Sequence, residues 1–210
     1  NYEGIGIIIA TGWPKNNSKK IIGEKEFTGN GVSYCATCDG FFTKGRITSV
    51  FGNGHEAVEE ALFLTKHAKV INVFCDKDDL EVEAELKEQL LSNENVKLFT
   101  NAKLLEVLGN QYVEKVKVDI AGEIKEMESD FAFLYLGTKS NSELYQGFAK
   151  LNDEGYIITD ENMACEVEGV WAAGDIRERT VRQVTTAVAD GTLAGIEAIK
   201  YVMKKKREVK

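Results

Sequence analysis

Short apolar runs alternate along this chain with stretches whose apolar positions recur every three or four residues, and that alternation predicts an α/β architecture. Ile5 to Ala10 is a continuous aliphatic run ending at Thr11-Gly12, the pattern of a strand buried on both faces. Ile47 to Phe51 is a second such run. Ala57, Ala61 and Leu64 share one helical face and Ile71 to Phe74 forms the next strand, so residues 47 to 74 read as one parallel, right-handed β-α-β unit. Glu81 to Ser92 carries the stripe of an amphipathic helix through Leu86 and Leu90, and Val96 to Phe99 follows as a short strand. Leu104 to Val107, Tyr112 to Val118 and Glu123 to Met127 alternate with the period of an antiparallel meander, turning at Gly109-Asn110 and Ala121-Gly122. Phe131 to Leu136 returns to a buried run. Beyond Gly137 the texture changes, and a domain boundary is expected there. A polar stretch from Thr138 to Ser142 leads to Tyr156-Ile157-Ile158, then to Gly169 through Asp175, then to a long terminal helix. On that helix Ala187, Gly191, Ala194 and Ala198 recur at helical spacing and mark a closely packed face.

Composition narrows the classes. The 210 residues are 43% hydrophobic and 29% charged, ordinary for a globular protein with a real core. A formal net charge of -8 argues against a general nucleic-acid binder, and Lys204 to Arg207 reads as a solvated helix end. No apolar run approaches the ~18 residues of a membrane span, and the chain does not open with a secretory pattern. The expectation is a cytoplasmic protein that binds neither membrane nor nucleic acid. Of four cysteines only Cys35 and Cys38 are close in sequence, which points to redox or metal chemistry for that pair and to buried thiols for Cys75 and Cys165.

Cys35-Ala36-Thr37-Cys38-Asp39 is the likeliest seat of that chemistry. Two sulfurs at this spacing can close a disulfide ring and reopen it, and the attacking species in such exchange is a thiolate, favoured where a helix starts. A zinc site would need two more ligands, which Cys75, Cys165, His55 and His67 do not supply at short spacing. A purely structural disulfide is disfavoured in a reducing compartment. The second signal is Gly52-Asn53-Gly54-His55-Glu56-Ala57, a tight turn opening a helix directly after a strand. Gly52 permits the turn, Gly54 lets backbone amides approach a pyrophosphate, and Ala57 allows close helix-to-strand packing; Asn53, His55 and Glu56 belong to the same loop. A glycine turn kept only for packing is the plain alternative. Asp76 follows Gly52 at about the interval where a carboxylate accepts hydrogen bonds from ribose hydroxyls, or it caps the coming helix. Lys66, Lys69 and Lys77 could partly offset its charge. Gly12 makes a close backbone approach to a phosphate or simply ends a strand, and Asp175 can be read as a turn acid. His67 is expected at a helix carbonyl end, Trp13 and Trp171 as fillers, and Phe41-Phe42 as core.

Ala10-Thr11-Gly12, Cys35 through Phe42, Gly52 through Ala61, and Gly174-Asp175 followed by Arg182-Gln183 occur here in that order. Together they resemble the low-molecular-weight thioredoxin reductase family of pyridine-nucleotide disulfide oxidoreductases. The resemblance implies a three-layer, Rossmann-like FAD/NAD(P)-binding domain with a central parallel sheet and a meander, plus part of a second such domain. Residues 14 to 137 would form the pyridine-nucleotide and disulfide domain, and residues 1 to 13 with 138 to 210 the carboxy-terminal part of an FAD domain whose amino-terminal half is absent. It also implies that electrons pass from a reduced nicotinamide through FAD to Cys35 and Cys38 and on to thioredoxin, with Cys38 nearer the flavin and Asp39 as general acid. Asp175 would hold the ribityl chain, Arg182 and Gln183 would approach the flavin ring, and the helix starting near Val184 would aim at the cofactor. A homodimer, a rotation between domains about Gly12 and Gly137, and a surface beside the disulfide at Phe41-Phe42 that meets the protein substrate are further implications. Relatives preferring NADPH carry a His-Arg-Arg run and a later arginine where this chain has Cys75, Asp76, Lys77 and Glu81, so NADH is favoured. The alternatives are a ferredoxin-dependent flavin thioredoxin reductase, a peroxiredoxin-reducing relative, and a non-catalytic nucleotide-binding fragment.

Overall fold

The computed structural model describes residues 3–12, 21–137 and 142–208 and separates the chain into two units, 1–15 with 138–210 and 16–137. Trp13 and the polar stretch 138–141 lie outside the described residues. In the first unit the aliphatic run forms β1 (Ile7–Ile9).

The unit 16–137 opens with a short turn of helix, α1 (Glu24–Phe27), then β2 (Val32–Ser33) and α2 (Ala36–Asp39). The expected β-α-β unit follows as β3 (Ile47–Phe51), α3 (His55–Leu64) and β4 (Val70–Phe74), with β4 parallel to β3. Helix α4 (Ala84–Leu91) begins three residues later than the stripe predicts. The Glu81 amide donates to the Asn53 carbonyl at 2.8 Å, which holds the connection as a strap across the glycine turn rather than as helix. Next come β5 (Val96–Phe99), the meander β6 (Ala102–Gly109), β7 (Val113–Ile120) and β8 (Glu123–Glu128), and β9 (Phe131–Leu134).

Strands β2, β9, β3, β4 and β5 lie in that order in one parallel sheet, and the meander forms a separate antiparallel sheet. Period-2 alternation builds the layers. Val50, Val73 and Phe133 point toward the helical side, where Ala57, Val58, Ala61 and Leu64 of α3 and Leu90 of α4 meet them. The next residues along, Phe51, Phe74 and Leu134, point the other way onto Leu104, Val107, Val116 and Val118 of the meander. Phe51, Phe74 and Phe99 stack at 4.7 and 5.0 Å between ring centroids. Each such side chain contributes about 1.5–3 kcal/mol on burial. The result is the expected α/β arrangement of helices, parallel sheet and meander in three layers.

In the other unit β1 pairs in parallel with β10 (Val170–Ala172), and the chain ends in α5 (Val184–Glu208). Ile9, Ile157, Val170, Ala172 and Ile176 form one cluster; Trp171, Ala173, Met163 and Ala194 form another, with Trp171 packed edge-on against Tyr201. The small-residue face of α5 is therefore used at Ala194 and Ala198, although Gly191 faces open space. One expectation fails here. Strand β1 is not buried on both faces: only Ile9 is buried, while Ile5, Ile7 and Ile8 are exposed, because among the described residues the strand has one neighbour and one covered face. Tyr156-Ile157-Ile158 joins this unit through isolated bridges from Ile157 to Leu151 and Arg177.

Candidate functional site

All four loops that carry chemistry in the unit 16–137 leave the parallel sheet at the carboxyl ends of its strands. Cys35 follows β2, Gly52 follows β3, Cys75-Asp76 follows β4 and Tyr135 follows β9. That edge is where open α/β sheets bind ligands, since the strand ends diverge there and helix starts face the gap.

Cys35 and Cys38 are bridged, with their Cα atoms 5.3 Å apart. Cys35 sits in extended conformation at the N-cap of α2, and its Sγ accepts from the Cys38 amide at 3.1 Å, so the sequence-predicted placement of the pair at a helix start holds. Asp39 ends the same turn. Its Oδ2 accepts from the Ser33 hydroxyl at 2.6 Å, and Ser33 Oγ in turn accepts from the Cys35 amide at 3.2 Å. The acid is thereby tied through Ser33 to the backbone of Cys35. Gly40 and Thr43, one turn of 3₁₀ helix apart, face inward, so Phe41 and Phe42 both face outward. This corrects the reading of those rings as core: at 69% and 66% exposure they are surface beside the disulfide. Phe41 also packs edge-on against His67, which lies between Phe41 and Phe63. A groove of about 570 Å³ runs from this edge and is lined by Ser33, Asp39, Phe42, Tyr112 and Asp130.

Three participants were not singled out from sequence: Ser33, Glu60 and Tyr135. Glu60 Oε2 accepts from the Ala36 amide at 2.5 Å, from the Thr37 amide at 3.2 Å and from the Tyr135 hydroxyl at 3.1 Å. Burial, followed by the Glu60 charge, pushes the Tyr135 phenol far above its ordinary range, so it remains a donor. Glu60 was visible only as the second of two adjacent acids on a helix. Its partners are 24 and 75 residues away, and no local spacing announces them.

At the glycine turn the reasons for residue type are steric. A Cβ on Gly52 would lie 2.6 Å from the Tyr135 carbonyl oxygen and 2.7 Å from the Ala57 Cβ, so both positions must be small. A Cβ on Gly54 would meet nothing within 4 Å: this is open room at the start of α3, where a phosphate group fits. Asn53 and Asp76 are joined by two hydrogen bonds, Asn53 Nδ2 to Asp76 Oδ1 at 2.6 Å and the Asp76 amide to Asn53 Oδ1 at 2.9 Å. Asp76 therefore does not cap α4, whose N-cap is Glu83. His55 opens α3 and its Nε2 lies 2.8 Å from Glu83, while Glu56 follows on the exposed side. Lys77 is held by Glu81 at 2.5 Å. Lys66 and Lys69 precede β4 and Asp76 follows it, roughly 20 Å away along the strand direction, so these two cations do not offset its charge. Cys75 is fully buried and burial raises its thiol above the ordinary range; Cys165 is half-buried, its thiol pushed up to about 11 by burial and then by Asp160.

In the other unit Gly12 has a left-handed φ of 67° and open space around it. Gly174-Asp175 forms a 3₁₀ turn directly after β10. Asp190, another residue not singled out, is buried on α5 and accepts from the Gly174 amide at 3.1 Å, Arg177 Nε at 2.6 Å and an Arg179 nitrogen at 2.8 Å. Burial pushes its carboxyl up, but the Arg177 and Gly174 hydrogen bonds and the two arginine charges overcome this and hold it below the usual carboxylate range. Asp175 Oδ1, Arg179 Nε and Arg182 Nε are buried and have no partner among the described residues, and such atoms suit a polar cofactor. Arg182 lies over the Tyr156 ring at 4.0 Å; the Gln183 amide donates to Thr186 at 3.0 Å; Val184 is exposed at the start of α5. These residues fit one end of a flavin nucleotide.

Comparison with known proteins agrees with this arrangement. The chain is 41% identical over 212 residues to the thioredoxin reductase of Peptoclostridium litorale, covering 96% of this chain and 66% of the relative. The crystal structure of thioredoxin reductase from Streptococcus pyogenes superposes with a TM-score of 0.87 at 34% identity, covering 95% of this chain and 66% of that one. A ferredoxin-flavin thioredoxin reductase from Clostridium acetobutylicum matches at a TM-score of 0.51 and 28% identity, over 95% of this chain and 63% of that one. The chain thus spans about two thirds of the length of the relatives it matches. The model for pyridine nucleotide-disulphide oxidoreductases matches residues 2–191, which takes in the bridged cysteines, the glycine turn and the Gly174-Asp175 turn alike. A match of that extent makes the chain a member of the pyridine nucleotide-disulphide oxidoreductase family.

Proposed function

We propose that this chain carries the disulfide and nucleotide machinery of a cytoplasmic, homodimeric flavoprotein thioredoxin reductase. The observation that carries the reading is the Cys35–Cys38 bridge, with Asp39 beside it, on the same sheet edge as the Gly52–Gly54 turn. Bound flavin would supply the electron pair, taken from a reduced nicotinamide. On receiving it, with two protons from solvent, the bond between Cys35 and Cys38 opens to two thiols, one of which ionises. One thiolate attacks a disulfide of the partner, forming a mixed disulfide and releasing one partner sulfur. The other cysteine then attacks its neighbour, restoring the Cys35–Cys38 bond and freeing the partner as a dithiol. Asp39, oriented by Ser33, hands a proton to a departing sulfur. Exposed Phe41 and Phe42 and the adjoining groove offer a surface for a small redox protein such as thioredoxin.

Gly52, Asn53, Gly54, His55, Glu56 and Ala57 are the proposed pyrophosphate cradle, with Asp76 at the ribose. Asp76 repels a 2′-phosphate, and Lys77, the nearby cation on its loop, is already neutralised by Glu81. NADH is therefore preferred to NADPH. Gly12, Gly174, Asp175, Arg182, Gln183 and Val184 form the flavin side; about a third of the relatives' length lies outside the match. Ferredoxin as electron source is the second reading, favoured by the likeness to the C. acetobutylicum structure and by the acids around Asp76, and opposed by the intact glycine turn.

The test uses the full-length enzyme. Anaerobic NADH should bleach the flavin more readily than NADPH, and bleaching by neither would move the donor to ferredoxin. Alkylating Cys35 and Cys38 after reduction should abolish reduction of a protein disulfide, and undiminished turnover would overturn the proposal.

A further inference from the structure

A carboxylate is an unexpected group to find beneath a redox-active turn. Glu60 reaches across from α3 and takes up the backbone amides of Ala36 and Thr37, the two that immediately follow Cys35. Free amides in the first turn of a helix favour a nearby anion; here the Cys38 amide alone of the three reaches the Cys35 sulfur, at 3.1 Å, while Glu60 holds the other two. Their capture by Glu60 is not incidental packing, because the same Oε2 atom also accepts from Tyr135, and the Tyr135 oxygen itself accepts from the Ala36 amide at 3.1 Å. Three elements, α2, α3 and the segment after β9, are pinned at one oxygen. Tyr135 and Ala36 are buried and Glu60 is half-buried, so the charge acts through little intervening water. The other charged groups facing the turn are Asp39, tied to Ser33, and Glu56, on the same helix as Glu60. Both are acidic; no cation among the described residues pairs with Glu60.

We propose that Glu60, oriented by Tyr135, is a positioning residue that disfavours the thiolate state at Cys35 and Cys38 and thereby keeps the couple strongly reducing. The bridged form carries no charge and is indifferent to the carboxylate. The reduced form, once ionised, is repelled by it, and the Ala36 and Thr37 amides, already bonded to Glu60, are not free to turn toward it. Stabilising a reduced, thiolate-bearing pair makes it a better oxidant; Glu60 acts in the opposite sense. The inference rests on the reading of Cys35–Cys38 as a working redox couple.

The experiment equilibrates the 210-residue chain with buffers of reduced and oxidised dithiothreitol. Dithiothreitol gives up an electron pair and two protons as it cyclises, and the Cys35–Cys38 bond opens to two thiols. Quenching, alkylation and peptide mass mapping then give the dithiol-to-disulfide ratio at these two cysteines alone. At pH 9, where the thiols ionise, Glu60→Gln should raise that ratio about tenfold at a fixed buffer ratio, equivalent to about 30 mV. At pH 6, with the thiols protonated, the same substitution should change it less than twofold. A purely structural role would lower stability without this pH-dependent shift. No shift at pH 9, a shift toward the disulfide, or an equal shift at both pH values overturns the proposal. Should Glu60→Gln fail to fold, Tyr135→Phe decides: it strips one donor from the carboxylate and strengthens its field, so the ratio at pH 9 should fall about twofold, and an unchanged or raised ratio overturns the inference. If dithiothreitol opens the bridge at no ratio in the unsubstituted chain, the redox reading itself fails, an outcome distinct from a normal couple that ignores Glu60.

Discussion

The two units are written in the same alphabet of aliphatic strands and helical stripes, yet they close differently. In the unit 16–137 the central strands β3, β4 and β9 have a layer on each side: Val50, Val73 and Phe133 are sealed under the helices, and Phe51, Phe74 and Leu134 under the meander. In the other unit β1 and β10 form a two-stranded ladder, and Ile5, Ile7 and Ile8 remain exposed, as do Val184, Val188, Ile199 and Met203 of α5. What the comparison teaches is that an apolar run announces a strand but not its covering. The same signal is satisfied in one unit by elements of this chain and left unsatisfied in the other. The chemistry divides likewise, since the disulfide and glycine turn are complete in the closed unit, whereas the second unit holds buried polar atoms of Asp175, Arg179 and Arg182 without partners among the described residues.

The largest effect expected from this contrast is in hydrogen exchange of the whole chain. Amides of β3, β4 and β9 should be protected about 10⁴-fold more than those of β1 and β10, a difference of about 5.5 kcal/mol in opening free energy; equal protection would erase the distinction. Next in size is Asp190, which ties the turn at Gly174 and two arginines to α5. Asp190→Ala leaves Arg177 and Arg179 without their shared carboxylate and should cost about 3–5 kcal/mol, read by denaturant unfolding followed by tryptophan fluorescence. The unsubstituted chain carries a matching pH signature. Because the folded Asp190 carboxyl ionises below its unfolded value, its stabilisation is present above the unfolded pKa of about 3.9 and is lost as pH falls through the lower folded value. The Asp190→Ala chain should lack that loss.

Gly52→Ala should cost about 1–3 kcal/mol, since its new Cβ meets the Tyr135 carbonyl and the Ala57 methyl. It should also weaken ADP-ribose binding, whereas Gly54→Ala, with open space around it, should fold as well as the original and lose only the ligand. Calorimetric titration separates the two outcomes. Smallest is donor discrimination: ADP-ribose should bind about tenfold tighter than its 2′-phosphorylated form, about 1.4 kcal/mol, and Asp76→Asn should narrow the gap. A preference for the phosphorylated ligand would reverse the assignment of Asp76.

Much of the site could be read before folding because its parts are local. Cys35 and Cys38 lie one helical turn apart, and Gly52, Gly54 and Ala57 lie within one turn and a helix start, so backbone geometry alone brings them together. Asp39 was legible for the same reason. Hydrophobicity alone put Phe41 and Phe42 in the core, whereas the resemblance allowed a surface there; hydrophobicity says nothing about direction, and the short 3₁₀ turn sends both rings outward while Gly40 and Thr43 take the inside. The start of α4 was placed too early because the stripe through Leu86 and Leu90 cannot reveal the backbone bond from Glu81 to Asn53. Glu60 and Asp190 were passed over since a lone acid on a helix resembles any solvated acid until its distant partners are in place.

By itself the amino-acid order determined the α/β alternation, the turn chemistry, and the pairing of a redox motif with a nucleotide loop, because each depends on residues within a few positions of one another. Only the tertiary structure decided which apolar faces are covered, that Asp76 is tied to Asn53 and Lys77 to Glu81, and that Glu60 meets Ala36, Thr37 and Tyr135 at a single oxygen. The physical reason is that charge and hydrogen bonding act through space over a few ångströms. Folding sets those distances between residues that the chain itself holds as many as 75 positions apart.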